Sequence, residues 1–523
     1  MVLQLELSKG KQSDSADPYS VREKLFFSLI CILFALFFIP SMSRSLWIDE
    51  TITYWVVKDG FWDTTYRAIH YQGQSPLYYL IVWSFTQILG HSEWILRLPS
   101  LLALILACFF LYRLCLVLFD REWALISVLC IICLWQVTDV GRDARPYGLA
   151  VMFSILSVLC FVKWLQNDRI NYQIAYIFSS AATCYSHIMY APIFFIHLCY
   201  YFILKEDNPK VSFRKLVLTF FIIAGCLLPN IYQLTLLVEK RELYSFALRP
   251  GIMDLLNAWF PFVLIFPLIA AFLFACIFDR TTCREWGVCV PKKMFFILIW
   301  FFFPASLLFI ISKMMGSSIF YPRYFFWSYP AIALVIAGLV KMLENSQSRL
   351  IAVSVFSMVF IIINIIHPKP VENWRSAVEY VTSTKMSQKV PIIVWPGLVE
   401  ARNVKWSIDK EKRDYLLAPF SYYTLKSSAF SLPWMPDGLK LESVLSKYNN
   451  VFLNERGELY LIVRNVIIVR NEPKQEKRLI QDILEDWLRS QGILLVEKRC
   501  FGTVMVSRFF YNSDSQFVKS LKQ

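Results

Sequence analysis

Asp49 and Glu50 stand side by side in Leu46-Trp-Ile-Asp-Glu-Thr-Ile-Thr53, directly after the first long apolar run of the chain. Two ionised carboxylates there resist burial, because taking an unpaired charge out of water costs several kcal/mol. The pair therefore reads as the chemical centre of a membrane enzyme, against the plainer reading of a solvated loop that ends a helix. Three further polar clusters interrupt an apolar sequence: Asp139-Val-Gly-Arg-Asp-Ala-Arg-Pro-Tyr147, Tyr185-Ser-His-Ile-Met-Tyr190 and Ser317-Ser-Ile-Phe-Tyr-Pro-Arg-Tyr324. Guanidinium makes bidentate, charge-assisted bonds to phosphate oxygens and stays charged at any relevant pH. Arg145 and Arg323 thus mark a candidate anion site, with Asp143 and Tyr147 beside the first, Tyr324 beside the second and His187 in the cluster between them. Arg142 reads more simply as a snorkelling interfacial residue. Tyr147, Tyr190 and Tyr324 could equally be aromatic-belt anchors, and His187 alone would be a satisfied helix-end histidine.

These residues must be carried by a membrane scaffold. The chain has 523 residues, of which 57% are hydrophobic and 17% aromatic, far more than a soluble protein of this size needs. Apolar runs such as Leu25 to Pro40, Leu101 to Phe119, Leu216 to Leu237 and Phe295 to Ser312 approach the roughly 20 residues that cross a bilayer. The first run has small residues after it, as a signal peptide would, but the many later runs favour an uncleaved anchor. The net charge of +14 is spread over loops that flank these runs, so lipid headgroups are the expected partner and nucleic acid is not. Most of the 13 cysteines lie inside apolar runs and imply no disulfide framework.

With residues 1–24 as a cytoplasmic tail, the positive-inside rule puts Asp49-Glu50 on the outer face, in a first outer loop of about residues 41–93. Ser75 to Leu89 is short for a crossing and is expected to lie along the interface. Later spans near 94–118, 122–139, 147–165, 172–186, 189–204, 215–237, 252–278, 294–312, 325–341 and 350–366 bring the expected total to about eleven. The basic residues then fall in inner loops. The fold class expected is a polytopic α-helical membrane protein, with residues 25–367 forming the transmembrane domain. After Pro368-Lys-Pro370 the composition changes, and residues 368–523 are expected to form a soluble α/β domain on the outer face. Helices are predicted near 372–386 and 475–489, with strands near 390–395, 459–463 and 493–511, the last turning near Gly502.

Trp47-Ile-Asp-Glu, Gln74-Ser-Pro-Leu-Tyr-Tyr79, Arg97-Leu-Pro-Ser100, Asp143-Ala-Arg-Pro-Tyr147, Ser186-His187, Pro322-Arg-Tyr324 through Pro330, and Asn373-Trp-Arg375 occur in this order. Together they resemble the polytopic GT-C glycosyltransferases of the protein-mannosyltransferase and lipid A aminoarabinose-transferase type, family 39 or 83. The likeness covers roughly residues 25 to 400, with Ser75-Pro76 where relatives commonly show Pro-Pro. It implies a bacterial plasma-membrane enzyme that moves one sugar from a polyprenyl-phosphate carrier to a lipid, glycan or protein acceptor, with inversion. By the same resemblance Asp49 acts on the acceptor with Glu50 beside it. Asp143 and Arg145 match the second-loop acid and arginine, and Arg323 the late arginine near the carrier phosphate.

The residue types suit this chemistry on their own terms. A single displacement needs one base and a cationic cradle, and a phosphate leaves without a general acid. An ordinary carboxylate can take the hydroxyl proton as the new bond forms. Asp143 or Glu50 could orient substrate or bind a divalent cation, and the sequence does not choose between these roles. The rival readings are a transporter or flippase of lipid-linked sugars, and a glycan ligase using a pyrophosphate-linked donor. A transporter would place ionisable groups within its spans and often show repeats; the span interiors here are nearly free of charge.

Overall fold

Helix boundaries follow the apolar runs and the residues that break them. The computed structural model describes residues 21–203, 209–239, 249–260, 269, 292–315, 318–343, 345–366, 371–383, 390–403, 405–425, 429–434, 457–464, 480–490 and 493–510. Helix α1 (Val21–Met42) precedes three short helices, α2 (Ile48–Val57), α3 (Phe61–His70) and α4 (Leu77–Leu89). The 13 residues of α4 extend roughly 20 Å, short of a hydrocarbon core of about 30 Å. Next come α5 (Glu93–Leu118), α6 (Arg121–Cys133), α7 (Trp135–Arg142), α8 (Tyr147–Asn167), α9 (Ile170–Ser186) and α10 (Ile193–Ile203). They are followed by α11 (Phe213–Cys226), α12 (Pro229–Glu239), α13 (Ile252–Trp259), α14 (Lys292–Met314), α15 (Tyr329–Lys341) and α16 (Ser346–Ile366).

Among the described residues, four helices are long and apolar enough to cross a membrane: α5, α8, α14 and α16. The pair α11 and α12 makes a fifth if its 64° bend is counted within one span. Pro229 sits at that bend, where its ring disfavours helix in the preceding residue. Where one span was expected at 122–139, extended backbone at Leu134 (φ −76°, ψ 109°) separates α6 from α7. The expected span at 252–278 and its basic loop fall largely outside the described residues, as do Cys283, Cys289, Ser317 and most of the amino-terminal tail. The expectation of about eleven crossings therefore meets four or five helices of sufficient length plus several shorter apolar ones. Helix α8 packs against α5 and α9, and α6 against α5 and α15, so the interior is built around α5, α6 and α8.

The carboxy-terminal part contains a five-stranded sheet in the order β2-β1-β3-β5-β4. Its strands are β1 (Ile392–Trp395), β2 (Ala429–Ser431), β3 (Glu458–Arg464), β4 (Leu494–Phe501) and β5 (Val504–Phe510). Strand β1 runs parallel to β2 and β3, whereas β5 is antiparallel to β3 and β4. The period-two alternation of β1 and β3 sorts apolar residues onto two faces. Ile393, Trp395, Leu461 and Val463 pack with Leu484 and Leu488 of a helix over Ile480–Ser490. Ile392, Val394, Tyr460 and Ile462 instead join a buried cluster that continues through Trp374 and Tyr415 into the helical part. The sheet is thereby fastened to the helices by a shared core.

The β4-β5 turn also holds the segment entering this domain. Gly502 has φ +64°, and a Cβ there would lie 1.7 Å from the Val371 carbonyl oxygen. The Thr503 amide donates to Val371 O at 3.2 Å and the Asn373 amide to Phe501 O at 3.3 Å, which fixes Glu372 between them. Gly502→Ala is expected to destabilise the protein by about 1–3 kcal/mol through strain and backbone overlap, read as a lowered Tm of the purified chain. An unchanged Tm would contradict this packing.

Candidate active site

Asp49 and Glu50 are neighbours in the first turn of α2, yet their side chains have different surroundings. The Glu50 carboxylate is completely buried, while that of Asp49 is 19% exposed. Glu50 Oε1 accepts from Arg97 Nε at 2.7 Å and from the Ala144 amide at 2.9 Å. Its Oε2 accepts from Arg97 Nη2 at 2.5 Å and from the Trp47 amide at 3.1 Å. The Trp47 bond is the return half of a capping box and places the carboxylate at the positive end of α2. Arg97, in the second turn of α5, spends its other donors on Ser41 O, Met42 O, Arg44 O and Ser45 O at 2.7–3.2 Å. Those carbonyls end α1 and lead into α2, and a helix end needs such donors when it is buried.

The segment between α7 and α8 is fastened to the same two helices. Pro146 disfavours helix at Arg145 and opens α8, so residues 143–146 form a connection. In addition to the bond from its amide to Glu50, the Ala144 carbonyl accepts from Thr53 Oγ1 at 2.9 Å. The Arg145 carbonyl accepts from Ser100 Oγ at 3.2 Å. The backbone that carries Arg145 is thus held from α2 and α5 together.

Arg145 and Arg323 converge on Asp49. Arg323 Nη1 lies 3.5 Å from Asp49 Oδ2 and Arg145 Nη2 lies 3.9 Å from it. Both separations exceed a normal hydrogen bond, so they are Coulombic contacts. Arg145 Nη1 donates to Gln72 Oε1 at 3.0 Å. Arg323 Nη1 donates to Tyr147 Oη at 3.3 Å, and its guanidinium lies 4.2 Å from the centre of the Tyr321 ring. The Tyr190 hydroxyl donates to the Arg323 carbonyl at 3.2 Å. The His187 ring packs among Tyr147, Tyr190 and Tyr324, with centroids 5.3–5.5 Å away. Burial, with the nearby Arg323 and Arg145, pushes the His187 imidazole down to about 3; it is neutral and adds no charge to the cluster.

Six of the eight residues singled out in the sequence, Asp49, Arg145, Tyr147, His187, Arg323 and Tyr324, are linked in this way. Glu50 lies behind them in the bond network described above. Asp143 is half-buried; burial and the adjacent Glu50 push its carboxyl up to about 7, against the opposing pull of Arg97 and Arg142. Arg142 pairs with Asp139 at 2.8 Å. Among the described residues, no three His, Cys, Asp or Glu side chains converge as a metal site requires.

A cavity of about 310 Å³ opens beside this cluster. Its lining is mainly apolar, with Leu234, Leu237 and Ile319, and includes the polar residues Gln72, Ser75 and His187. Gln72, which accepts from Arg145, connects this lining to the arginine cluster.

Residues 73–233 match the sequence model of a family described as dolichyl-phosphate-mannose-protein mannosyltransferase. The crystal structure of ArnT from Cupriavidus metallidurans in the apo state superposes with a TM-score of 0.58, covering 94% of this chain and 98% of that one at 11% identity. The same ArnT bound to undecaprenyl phosphate gives 0.55, over 93% and 97% at 11% identity. The chain has a GT-C fold. The arabinofuranosyltransferase AftD from Mycobacteria, at 13% identity, shares this GT-C fold with a TM-score of 0.50, over 96% of this chain and 41% of AftD. Among curated proteins, none matches the sequence. With its apolar helices, the GT-C fold makes the chain an integral, multi-pass membrane protein.

Sequence reasoning missed Gln72, Glu372 and Glu400, and it quoted Arg97 without giving it a partner. Arg97 did carry a signal, since an arginine near the start of a long apolar helix needs a counter-charge or carbonyls. Glu372, entering the carboxy-terminal domain, accepts from the Ile48 amide at 2.9 Å and pairs with Arg464 at 2.6 Å. It thereby holds the residue before Asp49.

Arg97→Met should cost about 3–5 kcal/mol by leaving Glu50 buried without its cation, and adding Glu50→Leu should recover part of that loss; thermal unfolding of the two variants checks the order. For Asp143, a raised folded-state value means that the folded protein holds a proton which the unfolded chain releases near pH 3.9. Stability therefore falls as pH rises from about 4 to about 7. Asp143→Asn is expected to raise Tm by about 1–3 °C at pH 8, with the difference closing by pH 4. A difference independent of pH would rule out this assignment.

Proposed function

We propose that the chain is an inverting glycosyltransferase that moves a single sugar from a polyprenyl-phosphate carrier to a lipid, glycan or protein acceptor. The observation that carries the reading is Asp49 lying 3.5 and 3.9 Å from two guanidiniums, beside a mainly apolar cavity whose lining includes Gln72 and His187. One carboxylate and two arginines leave a net positive charge, which suits a phosphate. The loose contacts to Asp49 let phosphate oxygens compete for the guanidinium donors. The mainly apolar lining suits the first isoprenyl units of the carrier. The GT-C fold and the family match over residues 73–233 support the same reading.

In the proposed reaction the acceptor hydroxyl attacks the anomeric carbon as the bond from that carbon to the carrier phosphate breaks. Asp49 takes the hydroxyl proton as the new bond forms. The phosphate leaves with the bonding electrons, and Arg145 and Arg323 stabilise the charge that accumulates on it. Each well-placed donor of this kind contributes roughly 3–4 kcal/mol to the transition state. Tyr147 orients Arg323, while neutral His187 and Tyr324 face the substrate from the cavity wall. Glu50, with its oxygens taken by four donors, acts as a positioning residue. The distribution of basic loops supports a cytoplasmic amino terminus and a site and carboxy-terminal domain on the outer face of a bacterial plasma membrane.

Asp49→Asn is expected to lower transfer at least 100-fold in membranes while leaving insertion and carrier binding intact. Arg323→Ala is expected chiefly to weaken carrier binding. Both are measured with purified protein and a panel of labelled polyprenyl-phosphate sugars. Retained transfer by Asp49→Asn would reject its role as base. Translocation without transfer by the wild type would reject the enzyme reading.

A further inference from the structure

A chain of hydrogen bonds runs from the carboxy-terminal domain to Arg145. The Tyr415 hydroxyl donates to Glu400 Oε1 at 3.0 Å. Gln72 Nε2 donates to the Tyr415 oxygen at 2.9 Å. Gln72 Oε1 in turn accepts from Arg145 Nη1 at 3.0 Å and from the Tyr79 hydroxyl at 3.3 Å. The polarity of the chain follows from chemistry. A guanidinium only donates, so Gln72 must turn its oxygen to Arg145 and its NH2 to Tyr415. Tyr415 then accepts from Gln72 and passes its own hydrogen to Glu400, which must supply an acceptor.

The sheet delivers Glu400 to this place. The residue follows the carboxyl end of β1, after a turn through Gly397 at φ +66°. It is 8% exposed, and Tyr415 is 1% exposed. The Tyr415 ring is wedged edge-on against Trp55 of α2 at 5.4 Å and against Trp406 at 5.3 Å. Burial pushes the Glu400 carboxyl up, with Asp49 adding to the shift and Arg145 opposing it, so the acid feels the cluster around Asp49. Among the described residues no cation pairs with this carboxylate, and burying it so is costly; an acceptor role at the end of a fixed donor chain gives it a reason to be there.

We propose that Glu400, Tyr415 and Gln72 are positioning residues through which the carboxy-terminal domain sets the Arg145 guanidinium for the carrier phosphate. This rests on the reading of Arg145 as a phosphate ligand given above. Arg145 Nη1 also donates to the Asp49 carbonyl oxygen at 3.4 Å; the shorter bond from this nitrogen to Gln72 limits rotation of the guanidinium about its long side chain. Gln72 is in turn held by a tyrosine packed in the interface between the domain and α2. The domain therefore completes the phosphate site without touching the phosphate.

The test is binding of undecaprenyl phosphate to the purified full-length chain in lipid nanodiscs. Tyr415→Phe keeps the ring and removes the hydroxyl. It is expected to weaken binding about 3- to 10-fold, the worth of one net hydrogen bond, with Tm unchanged. Glu400→Leu should do the same, and Glu400→Gln, which keeps an acceptor oxygen, should bind as the wild type does. Tyr422→Phe serves as the interface control: its hydroxyl donates to His91 O at 2.8 Å, across the same interface and outside the Glu400-Tyr415-Gln72 chain, and binding should not change. Wild-type affinity in both Tyr415→Phe and Glu400→Leu would overturn the proposal, as would equal weakening by Tyr422→Phe. If wild type fails to bind, or Arg145→Leu binds equally well, the reading of Arg145 itself fails, which separates the two claims.

Discussion

The Glu50 and Arg97 ion pair is the constraint on which the rest of the site depends. A buried pair of this kind adds little net stability by itself, because desolvation offsets most of the attraction. Its contribution is geometric. One carboxylate bonds the start of α2, the Arg97 side chain of α5 and the backbone of the Asp143 to Pro146 connection. The same arginine collects the carbonyls that end α1. Three chain segments distant in sequence, the α1–α2 connection, the start of α5 and residues 143–146, are fixed to one point, and Asp49 and Arg145 each sit one residue away from a bonded position.

This division explains why two adjacent acids occur together. Glu50 is enclosed and saturated by donors; Asp49 is partly exposed and faces two arginines at distances too long for full hydrogen bonds. Both would be costly alone, but Arg97 offsets the first and Arg145 with Arg323 the second. The carboxy-terminal domain adds a second layer of restraint, through Glu372 on the Ile48 amide and Tyr423 on the Leu46 amide at 2.8 Å. Its sheet shares a buried core with the helices, so these bonds connect packed bodies.

Much of the candidate site was legible in the sequence because charge is scarce in an apolar chain. Arg145 and Arg323 lack a packing reason to be where they are, and both proved to face Asp49. The strands at β1, β3 and the β4-β5 hairpin were legible from alternation and from Gly502, and the helix over Ile480–Ser490 from its periodicity. The partner of Glu50 was not, because Arg97 lies 47 residues away and nothing local points to it. Gln72 and Tyr415, separated by 343 residues, carry no sequence signal, since neutral amides and tyrosines are ordinary interfacial residues. The breaks at Leu134 and Pro229 also shortened apolar runs that hydropathy alone joins into single spans.

The most direct test of this account is a structure of the chain with a polyprenyl monophosphate bound in a lipid bilayer mimic. The phosphate is predicted within hydrogen-bonding distance of both Arg145 and Arg323, with the isoprenyl chain leaving along Leu234 and Ile319. The Glu50 and Arg97 bonds should be unchanged and Asp49 should stay beside the phosphate. A phosphate held elsewhere, or Glu50 released from Arg97 to face the ligand, would contradict it.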